Sequence, residues 1–344
     1  MTTYDAGMAV PDWPSTYGYN LFLYPWSTWL AAPWDLFIEH GHRLLGALSG
    51  MLTLALLAVV WRTDSRRWLK ALAVLALLLV VAQGLLGGMR VRLDSNVLAR
   101  LHGCTGPLFF ALTVALCVFT SPFWQRAGNL SAWEEDAALG LGRRIRRVVG
   151  SAWLLVAWSY VQLVLGAHLR HPNYLWSPAV LRGVIVLHVA LAIVLVISSG
   201  GLALRVFGLL RAIRRSGSSD GHASEMALRW PATAVGVLIG GQFLLGMGAW
   251  TVKYGWPRWL PGQTLFANLT LRAESMGQAL TVTAHVAAGS LFLATAVWLA
   301  VRATRLRHVL RRPAELPVAY KSSGDQRVNG GRGTSHVLVK GVIG

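Results

Sequence analysis

Charge is scarce in this chain: 14 of its 344 residues are acidic, and Asp, Glu, Lys and Arg together make up only 13%. A water-soluble domain carries about 25% charged residues, so a soluble globular fold is excluded. Cysteine is scarcer still. Cys104 and Cys117 lie thirteen positions apart in one apolar run, and thirteen helical steps turn them to roughly opposite faces. A disulfide between them is ruled out, and both read as small apolar packing residues. Strand-like alternation of polar and apolar residues is also missing, which removes the β-barrel, the other fold that a bilayer tolerates.

What remains is abundant apolar sequence, 54% of the chain with 16 Trp. Uncharged runs occupy Leu44–Trp61, Ala71–Met89, Leu101–Trp124, Val148–Ala167, Gly183–Leu204, Trp230–Val252 and Ala279–Val301. Each is close to the roughly 20 helical residues that cross a hydrocarbon core, so the expected fold is an all-α polytopic membrane protein with seven visible spans. The net charge of +18 does not mark a nucleic-acid binder, because the basic residues sit in the joints between spans. Arg62, Arg66, Arg67 and Lys70, then Arg126 and the RRIRR run at 143–147, then Arg205 to Arg229, fall on one side. The other side holds fewer: Arg90, Arg92, Arg100, Arg170, Arg182, Lys253, Arg258 and Arg272. The positive-inside rule then predicts a multi-pass chain with its N-terminus outside and its C-terminus in the cytoplasm. From about Pro313 the tail is rich in Gly, Ser and charge, and is expected to be disordered.

Two short patterns recur in the spans. QGLLG at Gln83–Gly87, QLVLG at Gln162–Gly166 and QFLLG at Gln242–Gly246 lie about 80 residues apart, near the outer ends of alternate spans. The intervening spans carry H-x-x-x-G: His42 with Gly46, His102 with Gly106, and His285 with Gly289; His188 takes the matching place with Ala192. The topology sets all four histidines at one depth. Ionisable groups inside a membrane are costly and usually have a task, and a fourfold repeat is not a scatter of core residues. A small residue at i+4 shares the histidine's helical face and predicts room for a flat macrocycle beside the imidazole. Two facing helices with one histidine each are how a bundle grips haem iron axially.

The other ionisable residues read differently. His40 points to another side of the helix from His42 and is expected at the interface, while His168 and His171 flank Arg170 in an outer loop, HLRHPNYLW, and are expected to be solvated. His222, His308 and His336 fall on the cytoplasmic side. Glu39 lies three residues before His42, on its face, near anything that imidazole binds. No carboxylate precedes His102, His188 or His285 in this way. The asymmetry points to chemistry in the first half that the second does not perform; the plainer reading is a carboxylate at a helix start, favoured by the dipole.

Glu39-x-x-His42 followed by RLLG, QGLLGGMRV, LHGCTGPLFF, His188, His285 and the outer-loop stretch DAGMAVPDWP at 5–14 together resemble the haem A synthase family of bacterial and mitochondrial inner membranes, over roughly residues 1–305. The resemblance implies two pseudo-symmetric four-helix bundles. The first, in residues 1–124, would receive haem O between His42 and His102, with Glu39 as the catalytic residue. Residues 125–147 would be a cytoplasmic linker. The second bundle, 148–304, would hold haem b between His188 and His285, all four histidines being axial iron ligands, and 305–344 would be the tail. The implied reaction oxidises the C8 methyl of haem O to the formyl of haem A for terminal oxidases, in the bacterial cytoplasmic (inner) membrane. Its implied partners are haem O handed over by haem O synthase, an electron donor the sequence does not identify, the lipid bilayer and a second copy of the chain; nucleic acid is not among them. Members of that family have eight spans, the DWP loop following the first. Here Met1 stands just before that loop, so the first transmembrane helix is expected to belong to a longer reading frame. The cysteine pair that some members carry in the outer loop is missing. The alternative function is a di-haem membrane cytochrome relaying electrons from quinol without altering either haem; a repeat-built transporter is weaker, since its site would need broken helices near the midplane.

Overall fold

In lipid every backbone amide must find its partner within the chain, and each of the seven uncharged runs does so by forming a helix. The computed structural model describes residues 9–126, 135–172, 175–215, 221–256 and 275–309. Among these are nine helices: α1 (Trp26–Leu30), α2 (Trp34–Thr63), α3 (Arg67–Arg92), α4 (Asn96–Thr120), α5 (Pro122–Arg126), α6 (Glu135–Arg170), α7 (Pro178–Arg215), α8 (Gly221–Tyr254) and α9 (Met276–Val309). Seven of them, α2, α3, α4 and α6 to α9, are long and apolar enough to cross a membrane, and no strand is present among the described residues. The protein is an all-α polytopic membrane protein. The tail beyond Val309 lies outside the described residues.

Local chemistry sets the joints. Asp64 ends α2 and accepts from the Arg66 backbone N–H at 2.8 Å and the Arg66 guanidinium at 2.6–3.1 Å, and these bonds hold its carboxyl down at about 2. Between α3 and α4 the chain turns through Asp94, at φ 42°, and Ser95 caps α4 by accepting from the Leu98 N–H at 3.4 Å. The third span was expected to run to Trp124, but α4 stops at Thr120. Ser121 precedes Pro122, whose ring disfavours helical geometry in the residue before it, and Ser121 is extended at ψ 154°. The short α5 follows.

The helices form two groups. α6, α7, α8 and α9 close a ring, each packed on its two neighbours, while α2, α3 and α4 form an arc. α4 joins the groups by lying along α9 and touching α6. The ring's apolar core, with Ile145, Val148, Leu202, Leu209, Leu228 and Leu299 among its buried members, and the smaller core of the arc, Val60, Leu69, Ala73, Ala76 and Leu116, both lie at the ends of the helices rich in arginine. There polar bonds add to the packing: within the arc Arg66 donates to the Phe119 carbonyl at 3.0 Å, and across the groups Arg305 of α9 donates to that of Trp124 in α5 at 2.8 and 3.1 Å. The four histidines occupy the opposite ends, where side chains other than core aliphatics fill the space between helices.

Candidate functional site

α2 and α4 start at the same end of the bundle, so His42 and His102, each about two turns into its helix, face one another. Their ring centroids are 6.2 Å apart, with planes at 81°. α7 and α9 repeat the arrangement: His188 and His285 stand 6.5 Å apart, planes at 70°. Metal–imidazole bonds are about 2.0–2.1 Å for an ion such as zinc. With each ring centre about 1 Å behind its nitrogen, two imidazoles clasping one ion would have centroids roughly 6 Å apart. Both pairs stand at that separation. Among the described residues no group of three or more His, Cys, Asp or Glu comes together as a metal cage. Histidines that come only in facing twos suit an ion whose remaining ligands arrive with it, as a porphyrin's four nitrogens do.

The recurring glutamines and glycines turn out to belong to the histidines. A methyl group at Gly87 would lie 3.2 Å from Cε1 of His102; at Gly166, 3.4 Å from Cε1 of His188; at Gly246, 3.2 Å from Cε1 of His285. Each Q-x-x-L-G glycine therefore receives the imidazole edge of a neighbouring helix. Two of the three H-x-x-x-G glycines do the converse: a methyl at Gly106 would meet the Gln83 amide at 3.4 Å, and one at Gly289 the Gln242 amide at 3.1 Å, whereas one at Gly46 would meet nothing within 4 Å. These glycines were expected to leave room for a macrocycle. At Gly106 and Gly289 the room is taken by glutamine, because Gln and Gly, four residues apart on one helix, interlock with His and Gly, four apart on the next. His102 Nδ1 lies 3.1 Å from the Gln83 backbone carbonyl, an acceptor that suits the tautomer with its proton on Nδ1 and its lone pair on Nε2.

Glu39 is 2% exposed and does not stand free beside His42. Its carboxylate accepts from the Arg43 guanidinium at 2.6 Å and from the Val10 N–H at 3.1 Å. Arg43 in turn donates to the carbonyls of Val10 (3.0 Å), Asp12 (2.8 Å) and Ser15 (2.6 Å). Together the pair pins the outer loop, residues 10–18, onto the first turns of α2. Within the loop Asp12 accepts from the Gly18 and Tyr17 N–H groups at 2.9 Å and from the Ser15 hydroxyl at 2.5 Å. Burial alone would raise the Asp12 carboxyl, but these bonds hold it below its ordinary value. The Trp13 ring presses so closely on buried Gly88 of α3 that a β-carbon there would overlap it. His40, expected at the interface, is buried instead: its ring meets the Thr16 hydroxyl at 3.0 Å and packs against Tyr24 and Trp29. The loop folds over it, which the span pattern alone could not signal.

The outer-loop histidines also differ from expectation. His168 is the last turn of α6, donates from Nδ1 to the Val164 carbonyl at 2.8 Å and stacks on Trp176 with planes 2° apart. His171 is buried just past the helix, its N–H bonded to the Ala167 carbonyl at 3.0 Å. Burial, and then the positive charges of Arg170, Arg90 and Arg100, push its imidazole down to about 4. A residue of the ring thus lies within electrostatic reach of Arg90, Arg100 and His102 of the arc.

Residues 1–176 match the protein family described as cytochrome oxidase assembly protein. Over 146 residues the chain is 35% identical to a protein of Symbiobacterium thermophilum named heme A synthase, a match that takes in 40% of this chain and 44% of that relative. The chain thus spans less than half of that relative's length in the match. No solved structure matches the chain. The matched family region holds Glu39, His42, the Gln83–His102 interlock and His171, while His188 and His285 lie beyond it. Carrying those elements in more than half its length, the chain belongs to the cytochrome oxidase assembly protein family.

Proposed function

We propose that the chain is a haem A synthase, an oxidoreductase that converts the C8 methyl of haem O to a formyl group. The observation that carries this reading is the pairing of two alike histidine clasps, of which, among the described residues, the His42–His102 clasp has a polar loop tied to Glu39 and Arg43 at its end of the bundle. His42 and His102 would bind the iron of the substrate haem, and His188 and His285 would hold a resident haem b. The second pair fits that cofactor: its rings face across a suitable gap, and His188 Nδ1, His285 Nδ1, Gln162 Oε1 and Gln242 Oε1 are buried without a partner. When bound, haem b would supply one-electron transfer. The chain's own residues fix the substrate's orientation, exclude water through the loop at 10–18, and hold the Glu39 charge one helical turn from His42.

Oxidising one methyl among several on a macrocycle demands a fixed orientation, and the asymmetric clamp supplies it on one side only. Glu39 would stabilise positive charge developing beside His42 or move protons, with Arg43 and the Val10 N–H fixing where its carboxylate points. Haem O and haem A partition into lipid, so substrate would enter from the bilayer, supplied by a haem O synthase. The charge pattern favours a bacterial cytoplasmic membrane with the histidine end outside. Because both histidine pairs have nearly the same geometry, a di-haem cytochrome that only relays electrons is the competing reading.

Mass identification of pigments extracted from purified protein separates the two. Haem O or haem A alongside haem b is expected; haem b alone would establish the relay. The variant Glu39→Gln is expected to keep the haem b spectrum and to stop haem A formation, and unimpaired conversion would remove Glu39 from the chemistry.

A further inference from the structure

We propose that Gln83, Gln162 and Gln242 are positioning residues for the iron-ligating histidines His102, His188 and His285, and that Gly87, Gly166 and Gly246 are the seats on which those imidazoles are set. The inference rests on the haem-binding reading above and extends it to residues that touch no iron.

Three separate helix pairs set a glutamine against the histidine of the next helix, through its backbone carbonyl in one and its side-chain amide in two. In α3/α4 the Gln83 carbonyl receives His102 Nδ1 at 3.1 Å, and the Gln83 side chain lies over Gly106 and against the Thr105 hydroxyl. In α6/α7 the Gln162 amide nitrogen reaches the His188 carbonyl at 3.0 Å and its Nε2 at 3.3 Å. In α8/α9 the Gln242 amide nitrogen lies 3.5 Å from His285 Nε2 and over Gly289. Each glutamine thus holds its histidine from the side, while the glycine one turn further along the same helix accepts the ring edge at 3.2–3.4 Å from where a β-carbon would stand. A ring caught between an amide and a bare backbone has little freedom about χ2. That matters because an axial imidazole's plane and hydrogen bonding tune the iron it binds, and glutamine adds a polar contact without adding charge in the apolar interior. Packing alone does not call for glutamine here: leucine or methionine would fill the same groove without the cost of a buried amide, and Gln162 Oε1 and Gln242 Oε1 bear that cost unpartnered.

The test uses the purified, haem-loaded full chain and reads electron paramagnetic resonance and the optical spectrum next to haem content and melting temperature. Gln162→Met and Gln242→Met keep the bulk and remove the amide. They are expected to retain haem b within about twofold of wild type while shifting the low-spin signal and midpoint potential, because a lost supporting contact alters the iron more than it empties the site. A lowered melting temperature with an unchanged low-spin signal and potential would mean packing only and overturn the proposal. Should the methionine variants not accumulate, Gly166→Ala and Gly246→Ala carry the test from the other side: a high-spin fraction is expected as the ring is pushed off its seat, and a wild-type spectrum overturns it. Wild-type protein without a bis-imidazole low-spin signal, or retaining that signal in His188→Ala and His285→Ala, would instead remove the ligand assignment itself.

Discussion

The ring α6–α9 and the arc α2–α4 solve the same problem with different surroundings. Both set a pair of histidines about 6 Å apart near the starts of two helices that run the same way, and both seat a histidine on a glycine of the preceding helix. The ring surrounds its pair with helices on every side and carries no polar loop bound to them among its described residues. In the arc the positions of Glu39 and Arg43 matter; the residues corresponding to them in the ring are Ile185 and Val189 around His188, and Val282 and Val286 around His285. Two charges in α2, and a second glycine after QGLLG, are what allow the loop to settle over His40 and its Trp13 to lie on Gly88. The comparison shows that two histidine pairs can keep a separation near 6 Å in different surroundings.

The largest effect should come from the ligands themselves. If the ring keeps its haem for many turnovers while the arc exchanges substrate for product, His188→Ala or His285→Ala should strip the stably bound haem b by more than the roughly 10–100-fold that losing a supporting residue costs a metal site. His42→Ala and His102→Ala should leave the haem b signal in place and lower substrate occupancy and turnover. Spectra with haem extraction, normalised to protein, measure all four. Loss of haem b from the arc variants and retention in the ring variants would reverse the roles of the halves.

The clamp is next. Removing one partner of a buried ion pair costs about 3–5 kcal/mol because the other charge is left uncompensated, and Arg43 is 9% exposed against 2% for Glu39. Arg43→Gln also deletes donors to three loop carbonyls, so proteolysis within residues 10–18 should become fast and turnover should fall, while the haem b spectrum of the ring stays unchanged. An intact loop by limited proteolysis in Arg43→Gln would sever the link between clamp and loop. Gly88→Ala, which collides with Trp13, should loosen the same loop by about 1–3 kcal/mol, the usual cost of overpacking.

Much of this was legible before any coordinates. The seven spans followed from uncharged runs, because a bilayer enforces helices, and the histidine pairs followed from their common depth. Two things were not legible. Gly106 and Gly289 read as space for a ligand, since one helix's periodicity does not say which neighbour fills the gap; only the packing of α3 on α4 and α8 on α9 reveals that glutamine does, while the space at Gly46 stays open. The fate of Glu39 depended on Val10 and Ser15, some thirty residues away on a stretch without periodicity, and no spacing rule links a loop carbonyl to a helix arginine. Arg43 stands out neither in the span pattern nor in the histidine repeat, yet its place four residues after Glu39 is the ordinary spacing of a helical ion pair.

The smallest expected effect probes the seam between the two halves. His171 follows α6 of the ring, yet Arg90 and Arg100 of the arc join Arg170 in acting on it, and its imidazole lies at about 4 in the folded protein against an ordinary value of about 6.5. The folded state therefore holds His171 neutral, while an unfolded chain would protonate it as the pH falls through 6.5. Between those two values the unfolded state binds the extra proton, so the stability His171 contributes is fully present above about pH 6.5 and is lost as the pH falls towards 4. At 1.36 kcal/mol for each pH unit of separation the loss approaches about 3 kcal/mol at most. In wild-type protein the melting temperature should fall over that window, with the change concentrated where the ring meets the arc; in His171→Asn, which fills the site without titrating, that part of the pH dependence should disappear while stability at neutral pH changes little. A wild-type slope that persists in His171→Asn would assign the acid sensitivity to other groups and leave the seam insensitive to protonation at this position.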